Sequence, residues 1–261
     1  MAAGGARQAV VQKRRGIDMK LHVSRHTPML KRYLFTFFFR LAVFAIVLVL
    51  YLTDRQRLTM LMSQTIVNGL TIIHVLWIIF MVTMLTHIFP SNRLSMAIKK
   101  AEHVHYDPQP YEEIELLRFV KEQNIHAWMV LLVWLCFNAI FGALYLAHLI
   151  KDIDLLMLTV FYFLSDYLCI LFYCPFQFKI MKNRCCVNCR IYDWGHFMMF
   201  TPMLFIRNFF SWSLFFTSCV VLIRWEIFYA RHPERFWFGS NKNLNCVNCK
   251  DKICRYKGKC E

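Results

Sequence analysis

Long apolar runs alternate with short, basic hydrophilic stretches along the chain. At 1.5 Å of rise per residue, about 20 apolar residues in a helix cover the roughly 30 Å of a bilayer's hydrocarbon. Four runs meet that requirement: Leu34 to Leu52, Ile66 to Phe89, Ala127 to Leu149 and Leu155 to about Phe176. The first carries Arg40, whose long side chain can snorkel toward headgroups. The second stops at Pro90, which cannot continue a helix. Lys151-Asp152-Ile153-Asp154 joins the third and fourth as a tight antiparallel hairpin. A fifth apolar stretch, Phe197 to Tyr229, exceeds one span and is interrupted by Pro202 and by Arg207-Asn208.

The pattern predicts an all-α polytopic membrane bundle of four clear spans and a broken or re-entrant fifth element, with a small Cys-rich cytoplasmic cap. The expected organisation is a basic N-terminal arm at 1–33, a four-helix bundle at 34–177 with a loop at 90–126, a Cys-rich loop at 178–196, the fifth element at 197–229 and a Cys-rich tail at 230–261. Within 110–120 the helical spacing of apolar side chains, with acids early and bases late, predicts a surface helix lying on the membrane or packing on the tail.

Composition agrees with a membrane chain: of 261 residues, 58% are hydrophobic and 18% charged, against about half and a quarter in soluble domains. The net charge of +15 would suit a nucleic-acid binder, but the 31 Lys and Arg crowd into the stretches between apolar runs. No nucleic-acid partner is expected. Eight of them lie in 1–33, two in 53–65, five in 90–126, one in 151–154, four in 178–196 and nine from Arg224 onward. Because basic loops resist translocation, this alternation places the N-terminus in the cytoplasm, in an inner or plasma membrane. The N-terminal arm reads as an uncleaved anchor, with a mitochondrial presequence in the first 16 or so residues as the alternative. A single tilted fifth span would put the basic tail outside; entry, a break near Pro202 to Asn208 and return would keep it inside, and the return path is favoured. Trp212, Trp225, Tyr229, Phe236 and Trp237 would then lie near the cytoplasmic interface.

Chemistry concentrates in the 11 cysteines. Cys136, Cys169, Cys174 and Cys219 fall in apolar runs and read as small hydrophobic side chains. Cys185, Cys186 and Cys189 share one basic segment; Cys246, Cys249, Cys254 and Cys260 share another. Each segment contains Cys-Val-Asn-Cys, at 186–189 and 246–249. Such a turn can aim two sulfurs at one ion, and two turns on one side of a membrane can close a tetrahedral zinc site. The tail alone also offers four soft ligands, as an iron-sulfur cluster requires, although neither common ferredoxin spacing is matched. Disulfides are the competing arrangement if the tail faces an oxidising compartment.

His74, His87, His126 and His148 lie on the second and third spans, where His87 facing His126 and His74 facing His148 would suit haem. Asp166, in the middle of the fourth span, requires a partner, a proton or water, and Arg207, Arg40 or His74 could pair with it. Asp166 and Arg207 are accordingly the candidate proton or quinone site. The expected function is a membrane metal-binding protein with a cytoplasmic iron-sulfur or zinc thiolate centre, exchanging electrons with a quinone, a haem or a redox partner protein. The alternatives are a transporter subunit or scaffold tied by structural zinc, and a thiol-disulfide oxidoreductase. The chain has no Walker loop, dinucleotide fingerprint, Gly-x-Ser-x-Gly elbow or His-Glu-x-x-His helix, so those chemistries have no support.

Overall fold

In the computed structural model the described residues are 28–67, 70–89, 106–183, 189–245 and 248. They are mostly helical, and four helices are long and apolar enough to cross a membrane: Leu30–Thr53, Glu113–Leu146, Asp152–Leu171 and Phe209–Arg231. The chain is therefore built as an integral membrane protein.

Helix α1 (Pro28–Thr53) is followed by the short α2 (Arg55–Ser63), which Asp54 caps by accepting from the Arg57 N–H at 2.9 Å. Strands β1 (Thr65–Val67) and β2 (Leu70–Thr71) pair antiparallel, and α3 (Ile72–Ile88) leaves directly from the second strand. The second expected span therefore begins later than its hydropathy suggests and has 17 helical residues. His74 sets that start: its Nδ1 accepts from the Thr71 N–H at 3.2 Å and lies 2.7 Å from the Thr71 hydroxyl.

The surface helix and the third span expected from sequence are one continuous helix, α4 (Glu113–Leu146), of 34 residues and about 51 Å. Nothing between Arg118 and Trp128 breaks it, because Lys121-Glu122-Gln123-Asn124-Ile125-His126 contains neither Gly nor Pro. His148, with φ 58°, turns the chain into α5 (Asp152–Leu171), where Asp154 Oδ2 accepts from the Lys151 N–H at 2.8 Å. A single π turn, Phe176–Ile180, follows.

The fifth apolar stretch divides in two. A broken segment runs as a 3-10 turn (Arg190–Trp194), α6 (Gly195–Phe200) and a second 3-10 turn (Thr201–Phe205). After Ile206 to Asn208 comes α7 (Phe209–Arg231), capped by Asn208, whose Oδ1 accepts from the Phe210 N–H at 3.1 Å. Cross-links fix the direction of the broken segment. Arg190 bonds Asn124, Trp134 donates to Thr201 at 3.1 Å, and Gly142 leaves room for the Phe205 ring. It thus runs beside α4 from residue 124 to residue 142, about 27 Å of axial rise and close to a full hydrocarbon thickness. Helix α7 returns antiparallel to it, with Trp194 donating to Glu226 at 2.8 Å and Trp212 to the Leu204 carbonyl at 3.1 Å.

The broken segment and α7 are therefore antiparallel neighbours, and Leu30, Tyr33, Tyr229 and Phe236 share one cluster at one end of the bundle. Trp225, Tyr229, Phe236 and Trp237 belong to that end; Trp212 belongs to the opposite one, beside the 206–208 turn. Helices α1 and α5 pack antiparallel, as Tyr33 on Tyr167 and Tyr51 on Asp154 show, whereas α3 and α7 run parallel through His74 on Phe210 and Trp77 on Ser213. The broken segment lies innermost: Asp193, Trp194, Phe197, Phe200, Thr201 and Met203 are all buried.

Candidate functional site

Two groups of polar side chains lie toward the end of the bundle where the chain starts and the tail leaves. The first surrounds the Cys-bearing segments. Cys189, at 4% exposure, packs in the cluster that holds Met181, Trp225, Tyr229 and Phe236. Its neighbour Arg190 bridges three elements: the guanidinium donates to Asn124 on α4 and to Glu226 on α7, and stands 4.6 Å over the Tyr229 ring. The Arg190 carbonyl accepts from the Trp225 indole at 2.5 Å.

The start of the tail is fixed to the same helix. Trp237 stacks on Phe119 at 6.1 Å and meets Tyr111 edge-on. The Gln109 amide donates to the Phe238 and Gly239 carbonyls at 2.8 and 2.7 Å, and the Lys242 N–H reaches the Asp107 carbonyl at 3.0 Å. Burial, and then the nearby Glu234 carboxylate, push the Tyr106 phenol above its ordinary pKa. The helix expected at 110–120 thus packs on the tail. Ser240 and Asn241 are fully buried beneath this junction.

Of the seven candidate thiolates, only Cys189 falls within the described residues; Cys185, Cys186, Cys246, Cys249, Cys254 and Cys260 lie outside them. Among the described residues no three His, Cys, Asp or Glu side chains form a metal-ligand set. The surroundings nevertheless contain unsatisfied polarity. Gln123 Oε1, His126 Nδ1 and Tyr229 Oη are buried without a hydrogen-bond partner, as is Arg235 Nε at the start of the tail. Buried polar atoms in folded proteins nearly always have a partner, so these four atoms stand out at this end of the bundle.

The second group lies deeper. Arg40 Nη1 donates to Asp166 Oδ2 at 2.9 Å and to the Phe163 carbonyl at 2.6 Å, and its guanidinium lies between the Phe163 and Tyr167 rings, 4.1 Å from each centroid. Asp166 therefore pairs with Arg40. Arg207 is exposed in the 206–208 turn at the opposite end, so the two members of the candidate proton or quinone site are not together. Gly195 allows the approach of Asp166: a methyl group there would fall 2.8 Å from Asp166 Oδ1.

The candidate haem ligands are also separated. His87 Nδ1 lies 3.1 Å from Asp193 Oδ1, its ring stands edge-on to His196 at 4.7 Å, and its carbonyl accepts from Arg224. His74 caps α3 and meets Phe210, while His148 is exposed in its turn. The broken segment packs against both α3 and α4, and His87 turns toward it rather than toward His126. His196 and Asp193 were not singled out by the sequence reading; the signal was the polar string Asp193-Trp194-Gly195-His196 opening an apolar stretch.

Compared with protein-family profiles, curated proteins and solved structures, the chain has no significant match in any of the three.

Proposed function

We propose that this protein is an integral membrane metal-binding protein in which thiolates from 178–196 and 230–261 hold an iron-sulfur cluster or zinc at one end of the bundle. The observation that carries this reading is the shared anchorage of both segments on α4. Arg190, next to Cys189, is bonded to Asn124, and Trp237 is stacked on Phe119, only five residues away along that helix. About 8 Å of axial rise separates the two anchor points, within the reach of a few residues of chain from each segment. Cys189 supplies one sulfur; Cys185, Cys186, Cys246, Cys249, Cys254 and Cys260 supply the candidates for the rest. Basic neighbours such as Lys250, Lys252 and Arg255 favour thiolate over thiol. His126 is the nitrogen donor nearest in kind, since its Nδ1 is buried and unpartnered.

A cluster would supply one-electron chemistry for a membrane quinone or a partner protein, whereas zinc would tie loop to tail without redox chemistry. The histidine arrangement lends bis-His haem no support, because His74 and His87 already hold other partners.

Metal analysis with an ultraviolet-visible spectrum of the anaerobically purified full chain tests the proposal. Broad visible absorbance with iron and sulfide, lost in Cys189→Ser or Cys249→Ser, is the result expected for a cluster. A colourless protein with one equivalent of zinc, lost in the same variants, selects the scaffold. Metal-free protein with oxidised dithiols would reject the metal centre in favour of thiol-disulfide chemistry.

A further inference from the structure

The two ends of the α1–α5 pair differ in how their charges are matched. Where α1 stops and α5 starts, Asp154 accepts from the Tyr51 hydroxyl at 2.5 Å and pairs with Arg55 at 3.3 Å, and Asp152 accepts from the Tyr145 hydroxyl at 2.7 Å. Acids and bases meet there. At the other end, neither Pro28–Thr53 nor 167–192 contains an Asp or Glu. The acids that border the second stretch are already held, Asp166 by Arg40 at 2.9 Å and Asp193 by His87 at 3.1 Å. Lys31, Arg32, Lys179 and Lys182 are exposed at this end, and none of them has an acidic partner among the described residues.

Direct contacts bring the two basic stretches together. Phe37 of α1 meets Phe172, at the end of α5, edge-on at 5.4 Å, and Tyr33 meets Tyr167 at 5.6 Å. Leu30 and Met181, neighbours of Lys31 and Lys182, are 3 and 1% exposed in one cluster, against which Ile180, the neighbour of Lys179, also packs. Arg32 stands within electrostatic reach of the Tyr167 hydroxyl on α5, which Thr36 of α1 also contacts. Just past α5 the Tyr173 ring stacks on Phe178 at 5.1 Å and 9°, with Tyr173 exposed.

Both helices are long enough to cross the hydrocarbon, so their ends lie at the headgroup layer, where amphipathic rings are favoured and Lys and Arg extend their charges outward. An anionic phospholipid supplies what the protein lacks here. Its phosphate suits the planar Arg fork, and its net negative charge suits the lysines. Phe35 and Phe38, on the same face of α1 as Lys31, are exposed and continue the patch into the apolar layer.

We propose that this end of the α1–α5 pair is a binding site for an anionic phospholipid of the adjacent leaflet. Lys31, Arg32, Lys179 and Lys182 hold its headgroup, and Phe35 and Phe38 lie along an acyl chain. The site is independent of the thiolate centre, and its test needs no metal.

The full chain is reconstituted in phosphatidylcholine vesicles carrying either a photoreactive phosphatidylserine or a photoreactive phosphatidylcholine, and cross-linked peptides are mapped by mass spectrometry. Phosphatidylserine is expected to label 28–40 and 170–182 well above phosphatidylcholine, with no such preference at 48–57 and 151–160, the opposite end of the pair. Arg32→Gln, Lys179→Gln and Lys182→Gln combined should lower the phosphatidylserine label about tenfold and leave the phosphatidylcholine label unchanged. Arg32→Lys, Lys179→Arg and Lys182→Arg combined should keep most of it, which separates lost charge from lost fold. Equal labelling by the two lipids in the wild type would overturn the site and leave an acidic protein segment as the occupant of the patch. A preference shared by both ends, or a full phosphatidylserine label in the folded glutamine variant, would overturn it as well.

Discussion

Helix α1 and the broken segment 190–205 meet opposite fates in the bundle. Helix α1 is regular over 26 residues and turns Phe35, Phe38 and Phe39 outward at 76, 61 and 57% exposure. The broken segment is shorter, changes helical type twice and is buried along most of its length. The difference follows from backbone hydrogen bonding. A regular helix satisfies its own N–H and C=O groups and can face lipid; an interrupted one cannot, and is tolerated only inside protein. Here α7 and the segment's own side chains complete it: Trp225 and Trp212 of α7 donate to the Arg190 and Leu204 carbonyls, and within the segment the Thr201 hydroxyl donates to the Phe197 carbonyl at 2.7 Å. Irregular backbone therefore marks the interior of this bundle, and that is where the ionisable side chains collect.

Substitutions in the two regions should separate sharply. Gly195→Val places a side chain against Asp166 and disrupts its pairing with Arg40, so a loss of about 3–5 kcal/mol is expected from thermal unfolding in detergent. Removing either partner alone, Arg40→Ala or Asp166→Ala, should cost a similar amount, while Arg40→Leu combined with Asp166→Leu should recover most of it. A double-mutant cycle that shows simple additivity would contradict a coupled pair. Trp237→Ala removes the stack on Phe119 and should cost about 3 kcal/mol, with protease cutting in the tail before global unfolding. Asn208→Ala removes the cap of α7 and should cost about 1 kcal/mol. On α1, Phe38→Leu should change the unfolding free energy by less than about 0.5 kcal/mol; a loss comparable to that of Gly195→Val would remove the contrast between the regions.

Hydropathy alone located α1, α5 and most of α4, because long apolar runs have one regular solution in lipid. It placed the start of the second span too early, since β-branched residues such as Ile66 and Val67 are equally apolar in a strand. It also divided α4 at about residue 126, where falling hydropathy marks an exit from lipid and carries no helix-stop signal. The broken segment was legible as an interruption by Pro202 and Arg207-Asn208, but its central position depended on long-range contacts such as Arg190 with Asn124 and Glu226. Asp166 stood out as a charge in an apolar run; its partner did not, because Arg40, Arg207 and His74 were equivalent by sequence. His196 and Asp193 were missed because each sits at the edge of an apolar run, where a polar residue ordinarily needs no explanation.

The proposed thiolate centre requires that the chain cross once through 190–205 and back through α7, bringing both thiol-bearing segments out on one side. Specific protease sites inserted after residue 183, in the 206–208 turn and after residue 250, in sealed vesicles of one orientation, measure this directly. Cleavage of the first and third sites from the same side, with the turn cut only from the other, is the predicted result. Cleavage of the sites at 183 and 250 from opposite sides would contradict it.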